Sequence, residues 1–434
     1  MVDGDPGDIQ VGVDPRRKRP AIWSRLGAGL ITGASDDDPS GIGTYAQAGA
    51  AFGFQLAWTL LFSYPLMVVI QEISARIGRT TGHGIAGNLR QHYPNWLLQG
   101  IVILLFVANT LNIGADLGAM AECMRLLSPR VSGTFLIFSF GVLCTLLQLF
   151  VSHKRYVRVL KGLTLVLPAY FAVLLVVRIP WVRVLRGLLW PHWTLNESFW
   201  LMVLAIFGTT ISPYLFFWQA AQEVEDTRLD TKRVPLRSNP AQGSSALARI
   251  RLDTFIGMGL SNLVGLAILI TAGATIHEAG IKNIATAADA AEALRPLAGT
   301  FAFALFAVGI IGTGLLAVPV LATSAAYALG EARRWPVGLA RRPLQARAFY
   351  GTIAAATLLG AAANLVSVNA MQALVWVAVI NGIVAVPVMA LLMLMAADKR
   401  VLGTFTVSRV WRALGWIATG VMGIVTLGYL ASAI

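Results

Sequence analysis

Three consecutive aspartates stand in the middle of an apolar stretch near the start of the chain. The segment from Ala34 to Tyr45 reads ASDDDPSGIGTY, so a proline and two glycines follow Asp36, Asp37 and Asp38. A charged side chain at membrane depth costs about 2.5 to 3.5 kcal/mol, so acids there pair with a partner or face a polar cavity. The pattern indicates an interrupted helix whose acids bind a cation.

A second polar interruption, GTTISPY, covers Gly208 to Tyr214 in another apolar stretch. Proline removes a backbone donor and clashes with the carbonyl four residues earlier, so we expect both helices to unwind at these points. The aspartates, together with the hydroxyls of Thr209, Ser212 and Tyr214, are hard oxygen ligands that suit Mg²⁺, Mn²⁺ or Ca²⁺. Three adjacent acids cannot all point one way, so we expect one to bind directly. Ordinary proline kinks are the alternative, but a kink leaves the carboxylates unexplained.

Isolated polar residues in other apolar stretches give weaker signals. Asp116 follows Asn112 by four residues, which places both on one helix face, and it is the main proton-relay candidate. Glu72 and Glu122 are further relay candidates, with snorkelling acids as the alternative interpretation. Intramembrane amides often tie helices together instead of binding a ligand. With that alternative open, further cavity candidates are Asp36, Asn112, Asn262 and Asn381.

The elements that must position these residues are membrane helices. Of the 434 residues, 56% are hydrophobic and only 13% are charged, too little polar surface for a soluble globule. Because helices satisfy their own backbone hydrogen bonds without water, we expect an all-α integral membrane protein. At about 20 apolar residues per span, the sequence predicts eleven spans, at roughly 24–53, 55–77, 97–123, 132–152, 160–179, 197–222, 252–276, 298–329, 348–368, 371–396 and 411–432.

The net charge of +13 is a topology signal and does not indicate a nucleic-acid partner. With the N-terminus in the cytoplasm, 27 of the 34 Lys and Arg residues fall in inner segments. This bias predicts an inner-membrane protein with its N-terminus inside and its C-terminus outside. Residues 1–22 have no apolar core with a cleavage site, so we expect a disordered cytoplasmic tail.

Both interruptions occupy corresponding places in two five-span halves. An odd number of spans separates them, so the halves have opposite orientations, a pattern typical of secondary transporters that bind ligands near the midplane. We expect one transmembrane domain over 23–434, with repeat one at 23–180, repeat two at 196–397 and an extra helix at 410–432. Glu223 to Arg251 is interpreted as a cytoplasmic loop, rich in Pro, Gly and Ser.

The segment from Asp36 to Ala50, DDDPSGIGTYAQAGA, resembles the first-span signature of natural resistance-associated macrophage protein (Nramp) metal transporters. That signature is Asp-Pro-Gly-Asn, a short spacer and Gln-Ala-Gly-Ala. The resemblance implies a leucine-transporter-type fold and proton-coupled uptake of Mn²⁺, Fe²⁺ and related ions. It continues at the end of the second span and in the following loop, at Gln71, Ala75, Arg76, Gly78, Thr81, Gly82, Arg90, Tyr93 and Pro94.

The resemblance also implies a partial set of site residues. The family's metal-binding aspartate falls on Asp38, its carbonyl ligand on Thr209 and its third-span acid on Asp116. Its metal-binding asparagine falls on Gly41, and the histidine later in its sixth span on Gln219. Its Met-Pro-His becomes Ser212-Pro213-Tyr214, so both the thioether and that histidine are absent. Losing the thioether shifts preference towards harder ions, as in the Nramp-related branch that carries Mg²⁺.

The sequence therefore predicts a secondary transporter of divalent metal ions, with Mg²⁺ or Mn²⁺ favoured. Asp38, the Thr209 carbonyl and Ser212 form the expected site, with Asp37 and Tyr214 as further or water-mediated groups. The metal is substrate, and we expect no cofactor. Alternatives are a permease for a small organic cation or amino acid on the same fold, and a channel-like membrane protein. No nucleophile-and-base arrangement or nucleotide motif indicates an enzyme, and the sequence leaves proton coupling and oligomeric state open.

Overall fold

The computed structural model describes residues 27–151, 168–194, 196–230, 232–291, 299, 302–366 and 369–433. Every regular element in these ranges is a helix, as the sequence predicts. The α-helices are α1 (Ala28–Asp36), α2 (Pro39–Phe52), α3 (Ala57–Thr81), α4 (Ile85–His92), α5 (Asn95–Leu127), α6 (Gly133–Phe150), α7 (Pro168–Val176), α8 (Trp181–Leu189), α9 (Glu197–Thr210), α10 (Pro213–Leu229), α11 (Gly243–Ala272), α12 (Ala287–Ala291), α13 (Ala302–Ala332), α14 (Arg347–Ala363), α15 (Ala370–Ala397), α16 (Lys399–Leu402) and α17 (Arg409–Ser432).

Eight stretches of the described residues are long and apolar enough to cross a membrane. They are α3, α5, α6, α9 with α10, α11, α13, α15 and α17, which correspond to predicted spans two, three, four, six, seven, eight, ten and eleven. The first predicted span is divided between α1 and α2, and the ninth is α14, which has 17 residues. Residues 160–167 of the fifth predicted span and all of residues 1–22 lie outside the described residues, so the count of eleven and the repeat boundaries stay predictions.

Both predicted helix interruptions are present, and each is only two residues long. The first separates α1 from α2 at Asp37 and Asp38, and the second separates α9 from α10 at Ile211 and Ser212. In both cases proline is the first residue of the new helix, a position where its missing N–H costs nothing. The residue before it is extended, with ψ of 171° at Asp38 and 128° at Ser212, because proline disfavours the helical conformation there.

The four half-helices lie at the centre of the molecule, between α5, α11, α13 and α15. A close crossing joins α1 to α11, where a Cβ added at Gly33 would overlap the backbone of Gly257. A Cβ at Gly257 would in turn overlap the carbonyl of Gly29. Small residues of this kind let membrane helices approach closely, so α1 is held against α11 along its length.

Two predicted segment boundaries need correction, and one helix was not predicted. The predicted loop from Glu223 to Arg251 is mostly helical, since α10 runs to Leu229 and α11 begins at Gly243. An ion pair between Arg249 and Glu223 joins these extended helix ends, so these two side chains face one another. The ninth span stops at Ala363, where the sequence predicts 368. The α8 helix was not predicted, and within it only Val184 is fully buried.

Candidate functional site

Asp38 is the N-cap of α2 and holds the first interruption in place. Its Oδ1 atom accepts hydrogen bonds from the backbone N–H of Gly41 at 2.6 Å and the hydroxyl of Ser40 at 2.8 Å. An aspartate before the first turn satisfies orphan N–H groups and benefits from the positive end of the helix dipole. The local sequence therefore fixes one carboxylate oxygen, while Oδ2 faces away from the turn.

A chain of side-chain hydrogen bonds joins Asp38 to two other helices. The amide nitrogen of Asn112 on α5 donates to Oδ2 of Asp38 at 3.1 Å and to Oδ2 of Asp116 at 3.2 Å. The amide oxygen of Asn112 accepts from the amide of Asn381 on α15 at 2.9 Å. The structure thus brings together four residues that the sequence predicts as metal, relay or cavity candidates.

Asp36 and Asp37 face α11 and share one hydroxyl. Ser261 donates to Oδ2 of Asp36 at 2.7 Å, and its oxygen lies 3.3 Å from Oδ1 of Asp37. The other oxygen of each aspartate, Oδ1 of Asp36 and Oδ2 of Asp37, has no hydrogen-bond partner among the described residues. Asp37 is therefore contacted from α11, whereas Asp38 is contacted from α5.

The polar groups at the second interruption form hydrogen bonds partly with the preceding helix, α9, and partly with α1. The hydroxyl of Ser212 donates to the carbonyls of Gly208 at 2.8 Å and Thr209 at 2.9 Å. The phenol of Tyr214 reaches across to the first interruption and donates to the carbonyl of Ser35 at 2.7 Å. This hydrogen bond joins the first turn of α10 to the last turn of α1, next to the two interruptions.

Gly41 lies where the two interruptions approach one another. A Cβ added there would stand 3.0 Å from the carbonyl oxygen of Asp36, 3.1 Å from Oγ1 of Thr209 and 3.4 Å from Oδ1 of Asp38. The two shorter distances are tighter than nine in ten real Cβ contacts. The position is therefore crowded by oxygen atoms, and a side chain there requires its neighbours to move.

The centre of the molecule holds four buried carboxyl groups. Asp36, Asp37, Asp38 and Asp116 are each at most 2% exposed. Within the described ranges none of the four forms an ion pair with Lys or Arg, and Oδ1 of Asp116 has no hydrogen-bond partner. Nor do those ranges contain a group of three or more His, Cys, Asp or Glu side chains spaced to enclose a metal ion. Any cation bound here must take backbone, hydroxyl or amide oxygens as well as carboxylate.

Four of the predicted candidates lie apart from this centre. Glu72 pairs with Arg76 one turn along α3, and Glu122 accepts from the backbone N–H of Ala287 at 2.7 Å. The amide of Gln219 donates to Thr254 at 3.0 Å, and that of Asn262 donates to the carbonyl of Leu60 at 2.8 Å. The last three of these contacts join different helices, which for Asn262 is the alternative that the sequence left open.

Two residues that the sequence did not single out take part in the site region. Ser261 bridges two aspartates, yet a lone serine in a long apolar helix carries no local signal. Asp253 accepts hydrogen bonds from the backbone N–H groups of Gly27, Gly29 and Leu30, at 2.8 to 3.2 Å. Asp253 thereby caps α1 from another helix, and its spacing before the apolar part of α11 gave no indication of this role.

These features define a class: an α-helical, multi-pass membrane protein built around two interrupted helices with buried acids at the interruption. The family model described as "Natural resistance-associated macrophage protein-like" matches residues 29–432. The chain therefore belongs to the Nramp family, as its first-span signature predicts. Members of this family are transporters, so the chain is a membrane transporter and not an enzyme.

Relatives of known name and solved structures agree with this membership. The divalent metal cation transporter MntH of Ralstonia nicotianae is 27% identical over 426 residues, 94% of this chain and 91% of that protein. MntH of Yersinia enterocolitica is 26% identical over 314 residues, 70% of this chain and 72% of that protein.

The similar solved structures establish the fold. A manganese transporter of Eremococcus coleocola superposes with a TM-score of 0.73 at 18% identity, covering 96% of this chain and 88% of that one. Mhp1, a nucleobase-cation-symport-1 family transporter, superposes with a TM-score of 0.55 at 15% identity, covering 95% and 91%. The predicted leucine-transporter-type fold is confirmed.

Proposed function

We propose that this chain carries a divalent cation, Mg²⁺ or Mn²⁺, into the cytoplasm across the inner membrane by alternating access. One observation carries the proposal: four buried carboxyl groups meet at the helix interruptions without a Lys or Arg partner among the described residues. Buried charges require compensation, and a divalent cation supplies it. The names of the relatives, divalent metal cation transporter and manganese transporter, support the same substrate class.

Asp38, the carbonyl of Thr209 and Ser212 are the proposed direct ligands. Asp38 has an oxygen directed away from its own turn, and the interruption at Ser212 lies next to the last turn of α9, which carries Thr209. Asp37 and Tyr214 act through water or through their neighbours, since Tyr214 is bound to the first interruption at Ser35. All of these proposed metal ligands bind through oxygen atoms, which favours Mg²⁺ and Mn²⁺ over softer transition metals.

A partly hydrated ion fits this set of ligands. Gly41 contributes no side chain, and Ser212 replaces the thioether that the Nramp signature carries. Mg²⁺ dehydrates reluctantly and usually keeps several waters in protein sites. A cation bound through Asp38 and carbonyl oxygens, with water in its remaining positions, needs neither missing group.

Alternating access is supported by the closure of the site on both sides. Asp38, Thr209 and Ser212 are each 2% exposed, so one side of the molecule must open for the ion to exchange. On the predicted cytoplasmic side, Asp253 and the glycine crossing hold α1 against α11. Inward movement is favourable, because a double charge gains about 4.6 kcal/mol across 100 mV, twice the value for one charge.

Proton coupling is a further part of the proposal, with Asp116 as the relay group. Asp116 is buried, connected to Asp38 through Asn112, and has a free oxygen within the described part of the chain. Glu72 forms an ion pair with Arg76, and Glu122 accepts a hydrogen bond from α12, so we assign neither to the proton pathway. A pH-sensitive dye inside proteoliposomes should report acidification during Mn²⁺ uptake by wild type and none by Asp116→Asn.

Uptake into proteoliposomes tests the function. Purified wild type should take up Mn²⁺ and Mg²⁺ slowly, at a rate that saturates as the ion concentration rises. Asp38→Ala should show only the background leak. Asp398→Asn is the matched control, because Asp398 lies at the end of α15 and pairs with Arg400 away from the centre. Equal uptake by wild type and Asp38→Ala would rule out the site, and uptake that never saturates would indicate a channel.

A further inference from the structure

Asn112 differs from Asn109, Asn262 and Asn364 in what its amide contacts. Asn109, Asn262 and Asn364 each donate to a backbone carbonyl of a neighbouring helix, at Leu321, Leu60 and Gly114. Asn112 hydrogen-bonds only with side chains among the described residues, and all three of them are polar groups of the central cluster. Those three amides tie helices together through a backbone carbonyl, whereas the Asn112 amide is directed at two carboxylates of the central cluster.

We infer that Asn112 supplies the amide oxygen ligand that Gly41 cannot, and that Asn381 supports it. This inference rests on the proposed function and adds a ligand from α5 to the set on the two interruptions. It assigns to Asn112 the role that the Nramp signature gives to the asparagine three residues after its metal-binding aspartate, a position that Gly41 occupies in this chain. The cation class stays divalent and hard, because an amide oxygen is a hard donor.

The position of the Asn112 amide marks a place that favours a cation. Its NH₂ group lies between the carboxylates of Asp38 and Asp116, at 3.1 and 3.2 Å, and presents partial positive charge to both. A divalent ion held between these carboxylates, beside the amide, replaces that partial positive charge with a full double charge. The carboxylates on either side therefore already face the point at which the ion is needed.

Binding requires the Asn112 amide to turn over, and its partner permits this. The oxygen of Asn112 now faces Asn381, which donates to it at 2.9 Å. A half-turn about the last side-chain bond exchanges the oxygen and nitrogen of an amide, which occupy nearly the same space. If Asn381 turns as well, Asn112 donates to Asn381 and the hydrogen bond between them survives. The Asn112 amide can therefore present its nitrogen to the carboxylates when no ion is bound and its oxygen to the ion when one is bound.

Gly41 is unable to take this role without rearrangement. The space beside its Cα is bounded by the Asp36 carbonyl and by Oγ1 of Thr209, at 3.0 and 3.1 Å from an added Cβ. Asn112 approaches Asp38 from the opposite carboxylate oxygen, Oδ2, which the turn of α2 leaves open. A ligand delivered by α5 thus avoids the crowded side of the site.

Calorimetric titration of the purified full chain with MnCl₂ and with MgCl₂ tests the inference. Asn112→Ala should weaken binding of both ions about 10- to 100-fold, the usual effect of losing a group that supports a metal site. Asn112→Asp keeps an oxygen in place and should bind within about threefold of wild type. Asn364→Ala, which also removes a hydrogen bond to α5 but does not contact the cluster, should behave like wild type.

The variants separate a ligand from a positioning group and from a packing group. If Asn112→Asp loses as much affinity as Asn112→Ala, the amide acts only as a donor to Asp38 and the inference is wrong. Unchanged binding by Asn112→Ala overturns it as well, provided that Asp38→Ala abolishes binding in the same assay. Wild type that binds neither ion overturns the proposed function, and the inference fails with it. Thermal unfolding of each variant shows that the compared proteins are folded.

Discussion

The hydroxyl of Ser212 donates to the carbonyl of Thr209 at 2.9 Å, so two of the proposed ligands are bound to one another. A carbonyl oxygen has two lone pairs, and Thr209 can keep this hydrogen bond while it contacts a cation. The Ser212 hydroxyl uses its single proton in this bond or in the alternative one to Gly208, and its own lone pairs remain available. The closed interruption is therefore compatible with coordination through oxygen.

Restoring sulfur at position 212 should change the ion preference. We expect Ser212→Met to bind Cd²⁺ about tenfold more tightly than wild type, a gain of about 1.4 kcal/mol, because a thioether favours soft ions. The measurement is inhibition of Mn²⁺ uptake by Cd²⁺ in proteoliposomes. Ser212→Leu is the control, since Leu and Met have similar volumes and only Met carries sulfur. The same Cd²⁺ inhibition in both variants would mean that residue 212 does not face the ion.

Adding a methyl group at Gly41 should destabilise the centre. The new Cβ meets the Asp36 carbonyl at 3.0 Å and Oγ1 of Thr209 at 3.1 Å, and overpacking of this kind costs about 1 to 3 kcal/mol. Gly41→Ala should therefore unfold at lower temperature than wild type. Gly100→Ala is the control, because nothing lies within 4 Å of its added Cβ. The double variant Gly41→Ala/Thr209→Ala should recover part of the loss, and strict additivity would argue against the Thr209 contact.

The positions of both interruptions follow from local rules that the sequence displays. Asp38 and Ser212 are good N-cap residues, each stands directly before a proline, and proline is favoured at the first position of a helix. The helices accordingly restart at Pro39 and Pro213. The all-α fold is also predictable, because the composition and the span length require helices in lipid.

The contacts of the site could not be predicted from local rules. Asn112 reaches Asp38 across 74 residues of sequence and Asn381 across 269. The spacing of Asn112 and Asp116 indicates a shared helix face but not which helix that face meets. The α8 helix is a different case, because the repeated apolar positions around Arg183 and Arg186 form an amphipathic pattern that could have been recognised.

Widening the crossing of α1 and α11 should impair both uptake and stability. An added Cβ at Gly257 overlaps the backbone carbonyl of Gly29, which no side-chain rotation can relieve. We expect Gly257→Ala to lose most Mn²⁺ uptake and about 1 to 3 kcal/mol of stability, measured by thermal unfolding in detergent. Gly420→Ala on the peripheral α17 has open space and should match wild type in both assays. Normal uptake by Gly257→Ala would show that α1 does not need this close contact.

Removing the carboxylate of Asp253 should loosen the start of α1. Asp253 accepts hydrogen bonds from the backbone N–H groups of Gly27, Gly29 and Leu30. In the described part of the chain, no other side chain caps these groups. Losing an N-cap costs about 0.5 to 2 kcal/mol, so we expect amide hydrogen exchange at Gly29 and Leu30 to accelerate about tenfold in Asp253→Ala. Asp289→Ala is the matched control, because Asp289 caps the N–H groups of Ala285 and Thr286 far from α1. Exchange in α1 that is equally slow in both variants would show that the glycine crossing alone holds α1 closed.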